Sequence, residues 1–184
     1  MTLSCHFVTE APAFSVVADV AIVKGETPDA DQAWLSFPDG TARRTPAYVI
    51  LDLPHLVVES VFGIGDGRWG SRADGRSEPA SRTVSRGNGR IRLVTEVSAP
   101  TLAKAAVSAV LNRWGDGPDT PGGVRARLRR SGRDAAGLAD ALTDEELRTV
   151  AAGVRRLYRD WAALPVGGTL RATWPLHDSW LRLL

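Results

Sequence analysis

The sequence predicts a single α+β domain spanning residues 1–184, and three observations carry that reading. The first part of the chain holds period-two runs rich in β-branched residues. Later segments follow the helical period, and a last period-two run comes near the end. Strands, then helices, then a strand is an α+β order rather than an alternating one. The expected architecture is a mixed or antiparallel sheet of five to six strands, packed against two main helices at 99–114 and 143–164.

Taken in order, "FSVVADVAIV" (Phe14 to Val23) alternates, placing Val16, Ala18, Val20 and Ile22 on one face of a strand. "AWLSF" is a short strand, "PDGT" a turn, and "AYVILDL" another strand, with "ARRTP" lengthening the link between them. In "PHLVVESVF", Pro54 suits a first helical position. The valine-rich run is nevertheless read as a strand over 54–62. Residues 63–90 read as a long Gly/Arg-rich loop, leading to a strand "RIRLVTEVS".

Ser98 caps the first main helix, and Gly115 stops it. "VRARLRRSG" and "RDAAGLADAL" are short helices. The clearest helix starts at the capping box "TDEE", in which Thr143 and Glu146 satisfy each other's backbone donors. Its apolar positions are Leu147, Val150, Ala151, Val154, Leu157, Tyr158, Trp161 and Leu164. "TLRATWPL" is the final strand, and residues 174–184 form an aromatic tail.

Composition narrows the function classes. With 43% hydrophobic and 24% charged residues the chain is of globular type. One cysteine, Cys5, excludes an intrachain disulfide framework. The start shows no basic region followed by a long apolar run, and no stretch has the length of a membrane span. A cytoplasmic protein is therefore expected. Lys24 and Lys104 are the only lysines; the other 21 basic residues are arginine, as a GC-rich genome would encode. Residues 1–67 carry a net charge of −6 and residues 68–184 one of +8. Such a division suits an acidic or nucleic-acid partner, or attraction between the two parts within the fold.

No constellation predicts catalysis, a cofactor or a metal. Gly65, Gly67 and Gly70 match G-x-G-x-x-G, but "SRADGRSEPAS" offers no helix whose N-terminus would face a phosphate. Cys5 and His6 would point to opposite faces of a strand. His177, Asp178 and Ser179 are too close in sequence to build a hydrolase triad. Asp29 and Asp31, like Asp116 and Asp119, fall short of a calcium loop's ligand count.

What remains is charge and aromatic surface. The expected partner-binding residues are Arg68, Trp69, Arg72, Arg76, Arg82, Arg86 and Arg90 in the loop, Arg125, Arg129 and Arg130 beyond it, and Trp174 and Trp180 near the end. The leading expectation is a non-catalytic protein-binding or assembly module, with self-association or another protein as partner. RNA or single-stranded DNA binding through loop 63–90 and helix 124–133 is the alternative. A small-molecule enzyme or ligand-binding domain, with a pocket between sheet and helix, is the third reading.

Overall fold

The computed structural model describes residues 16–65, 67–75, 102–111 and 120–176. Within them, an antiparallel sheet is built from β1 (Ala18–Val23), β2 (Gln32–Ser36), β3 (Ala42–Pro46) and β4 (Thr169–Trp174). The strand order is β3-β2-β1-β4. Six helices accompany it: α1 (Val49–Phe62), α2 (Arg68–Ala73), α3 (Leu102–Val110), α4 (Pro121–Arg130), α5 (Arg133–Ala141) and α6 (Asp144–Ala163). The α+β class is as the sequence predicts. The described residues hold four strands rather than five or six; of the six helices, α3 to α6 overlap the two main and two short helices expected, and α1 and α2 were not expected. The expected strand 90–98, with Ser98 and Gly115, lies outside the described residues, as do Cys5, His6, Asp116, Asp119 and His177 to Ser179.

The sheet obeys its alternation. Ala18, Val20 and Ile22 of β1 are buried with Ala33 and Leu35 of β2 and Leu170 and Trp174 of β4. The register aligns Leu170, Ile22, Ala33 and Thr45 across all four strands, and Ala172, Val20, Leu35 and Arg43 in the neighbouring row. The β2–β3 hairpin turns at Pro38, Asp39 and Gly40, where the Gly40 N–H donates to the Phe37 carbonyl. Hydrogen bonds from the Thr41 hydroxyl and N–H hold the Asp39 carboxyl below its ordinary pKa.

Two expectations fail next to each other. "ARRTP", read as a link, is strand β3, and residues 49–62, read as strands, are helix α1. β3 has β2 as its only described neighbour, so it lies at the sheet edge, where polar side chains and a terminal proline are tolerated. Helix α1 is buried from Asp52 to Glu59. A helix enclosed on every side needs no polar face, so its valines imitate a strand.

Pro54 lies inside α1 rather than at its start. It has no N–H for the carbonyl of Ile50, four residues earlier. The hydroxyl of Tyr158 on α6 donates to that carbonyl at 2.7 Å. The capping box is present as expected: the Thr143 N–H donates to Glu146 Oε2 at 2.7 Å, and the Glu146 N–H donates to Thr143 Oγ1 at 3.2 Å. Leu147, Val150, Val154 and Leu157 then turn into the core.

Tyr158→Phe should lower stability by about 1 kcal/mol, because the Ile50 carbonyl loses its donor. In a Pro54→Ala background, where the restored N–H serves that carbonyl, the same change should cost clearly less. Urea unfolding of the four proteins tests this; equal losses in both backgrounds would refute the pairing.

Candidate functional site

Helix α1 carries Asp52, His55 and Glu59 on one stripe, spaced by three and four residues, and all three side chains are buried. Their partners come from the segment read as a soluble loop. The Glu59 carboxylate accepts the Arg68 N–H at 2.7 Å and the Trp69 N–H at 2.9 Å, and it is hydrogen-bonded to His55 Nδ1 at 2.7 Å. Asp52 accepts the Tyr48 N–H at 2.7 Å and pairs with Arg68 Nε and with Arg72 at 3.2 Å. The Trp69 indole N–H donates to the Asp52 carbonyl at 2.8 Å.

The glycine motif thus has a helix after it, contrary to the sequence reading. Gly67 is the N-cap of α2. The first N–H groups of α2 are taken by Glu59 of the same chain, which fills the place a phosphate would occupy. The glycines allow the close approach. A Cβ on Gly67 would lie 2.3 Å from the Glu59 side chain, and one on Gly70 would lie 1.9 Å from the Gly65 carbonyl oxygen.

Arg68, Trp69 and Arg72 are therefore parts of this buried network. Trp69 and Trp174 are within the core and do not present their rings at the surface. Arg125 is likewise engaged: it donates to the carbonyls of Ala139 and Leu142 and pairs with Asp144 at 2.6 Å, holding the end of α5 to the start of α6. Arg129 pairs with Asp140 at 2.7 Å, both largely exposed, and Arg130 is exposed. Arg127, part of the basic helix 124–133 expected at the surface, is instead buried and donates to the Ala109 carbonyl at 2.7 Å. Its place was readable as the position between the anchors Val124 and Leu128. Arg76, Arg82, Arg86, Arg90 and Trp180 lie outside the described residues.

A histidine oriented by a carboxylate resembles an acid–base group. Here both side chains are enclosed, and they line neither the cavity beside Tyr48 and Ile50 nor the one beside Phe37 and Arg43. Their geometry is that of a core network holding α2 against α1.

The second arrangement is open to solvent. A cavity of about 550 Å³ lies between the β1–β2 connection, the start of α1 and the end of α6. Of the five large apolar side chains exposed among the described residues, Tyr48, Ile50 and Val166 line it. Tyr158 and Trp161 add aromatic wall, and Glu26, Asp29 and Asp31 add carboxylates. Lys24 ties the walls together: its Nζ donates to the carbonyls of Trp161 at 3.1 Å and Leu164 at 2.7 Å, capping α6. Sequence reasoning weighed Asp29 and Asp31 only as weak cation ligands and did not join them to Tyr48, Ile50 or Trp161. Only the tertiary contact of α1 with α6 brings them together.

Glu59→Ala should cost about 3–5 kcal/mol, since it leaves the buried N–H groups of Arg68 and Trp69 and the His55 ring without their partner. Gly67→Ala should also destabilise strongly. Arg129→Ala, at an exposed pair, should cost no more than about 1 kcal/mol. Denaturant midpoints rank the three variants, and a Glu59 variant as mild as the Arg129 one would contradict the account. No family model, curated protein or solved structure matches the chain.

Proposed function

We propose that this chain is a non-catalytic binding module whose ligand site is the apolar groove at the start of α1 and the end of α6. The single observation that carries the reading is the clustering of Tyr48, Ile50 and Val166 around one cavity of about 550 Å³. Scattered apolar side chains are ordinary on a protein surface, whereas a concave cluster of them suits a ligand. The reading keeps a binding role and moves it from the arginines to the groove. Among the described arginines, Arg68, Arg72 and Arg125 serve internal contacts, which leaves less of the basic surface for a partner.

The test is a titration with a neutral amphiphile, 4-phenylbutanol, followed by amide and methyl resonances. Shifts should saturate and cluster at Ile50, Val166 and Trp161. Ile50→Asp together with Val166→Asp should abolish them while the unfolding midpoint stays within the range of surface changes. Shifts that stay linear, or that cluster elsewhere, would overturn the reading.

One other observation favours a second reading, single-stranded nucleic-acid binding. Across the outer face of the sheet the register aligns Arg44, Trp34, Ala21 and Arg171 in one row. Trp34 is 41% exposed, and the Arg44 guanidinium lies 5.6 Å from its ring centre. An aromatic ring between arginines is a stacking platform for an unpaired base. Binding of an oligonucleotide should weaken steeply with salt. Trp34→Ala should weaken it by about 1–3 kcal/mol. Retention insensitive to both would remove this reading.

A further inference from the structure

We infer that the groove takes an organic cation with an apolar body; the inference rests on the groove being the binding site. The argument starts from charge. Glu26, Asp29 and Asp31 line the cavity against one basic side chain, Lys24. That ammonium is already engaged, held by α6 carbonyls and lying 5.6 Å from the Trp161 ring centre. Arg68 approaches the Tyr48 ring at 6.0 Å, but it is paired with Asp52. Asp52, Asp140, Asp144 and Asp160 each have an arginine partner, whereas Glu26, Asp29 and Asp31 have no ion pair among the described residues. Asp19, Asp39, Asp134, Glu145 and Glu146 are exposed or hydrogen-bonded acids without an ion pair among those residues, but they do not line the groove.

Asp31 is the decisive group. Its side chain is in a residue only 4% exposed, yet it lines the cavity. One oxygen, Oδ1, accepts the Gly25 N–H at 2.8 Å. No hydrogen bond engages Oδ2 among the described residues. Oδ2 is not sealed from solvent, and a carboxylate oxygen open beside an apolar cavity favours a donor that brings positive charge. Tyr48 and Tyr158 also line the cavity, and aromatic rings attract the same charge. A metal ion fits less well, because no group of three His, Cys, Asp or Glu side chains among the described residues is placed to hold one. A protonated amine on an apolar or aromatic body satisfies the cavity wall, the rings and Asp31 together.

Three probes of one shape separate charge from shape: 4-phenylbutylammonium, 4-phenylbutanol and 4-phenylbutyrate. Resonance shifts at Ile50, Val166 and Trp161 report binding to the full chain. The ammonium should bind about tenfold or more tighter than the alcohol, with the carboxylate weakest, and added salt should narrow the gap. Asp31→Asn keeps an oxygen for the Gly25 N–H and should erase the preference while leaving the alcohol unchanged. Should that variant unfold, Glu26→Gln with Asp29→Asn, both on an exposed turn, should reduce the preference instead. Equal binding of ammonium and alcohol, or tightest binding of the carboxylate, would overturn the cation inference and leave the groove reading standing. Absence of saturable shifts with all three probes would overturn both.

Discussion

Two carboxylates buried on one helix constrain this fold more than any other feature. Asp52 and Glu59 are fully enclosed on α1, and a carboxylate taken out of water without partners is severely destabilising. Their partners must be cations and N–H groups, and residues 67–73 supply both. The α2 N-terminus meets Glu59, and the side chains of Arg68 and Arg72 meet Asp52. The consequence runs outward from there. Arg43, on the inner face of edge strand β3, donates to the carbonyls of Arg72 and Ala73 and so holds the far end of α2 to the sheet. One electrostatic requirement on α1 thereby positions a helix, and that helix positions a strand.

The uneven charge along the chain acquires a physical meaning in this arrangement. The acidic first part and the basic remainder meet at residues 67 and 68, and the buried pairs cross that boundary. The division serves attraction within the fold, at least for Asp52, Arg68 and Arg72. Arginine fits the task better than lysine would. Its planar fork reaches a carboxylate and a carbonyl at once, as Arg72 does with Asp52 and Pro46, and Arg125 with Asp144 and Leu142.

Local chemistry was legible where it was self-sufficient. The alternation of β1, the Pro38–Gly40 turn and the Thr143 capping box each depend on residues a few positions apart. Residues 42–62 were misread because their structure depends on distant partners. "VILDLPHLVVESVF" shows no solvent-facing polar side, since residues 52–59 of α1 are enclosed, and Pro54 is tolerated inside it because Tyr158, more than a hundred residues later, serves the Ile50 carbonyl. One signal was present. Asp52, His55 and Glu59 fall at helical spacing within an apolar run, and a strand would have sent Asp52 to one face and His55 and Glu59 to the other. The arginines of α2 were misplaced for the same reason: a sequence lists charges without saying which carboxylate is buried beside them.

The groove follows from the same junction. Tyr158 joins α6 to the irregular start of α1, and Lys24 joins the end of β1 to the end of α6. Two polar ties at the rim leave the space between them open, because side chains spent on capping a carbonyl cannot also fill a cavity. Ile50 and Tyr48 stand beside the helix start, where the chain enters α1 and neighbours are fewest. The described arginine ion pairs lie at α1 and on the α4–α6 surface, and the turn at 26–31 has none. An apolar wall and an acidic rim thus meet at one junction, and their meeting is the physical ground for assigning the groove a charged ligand.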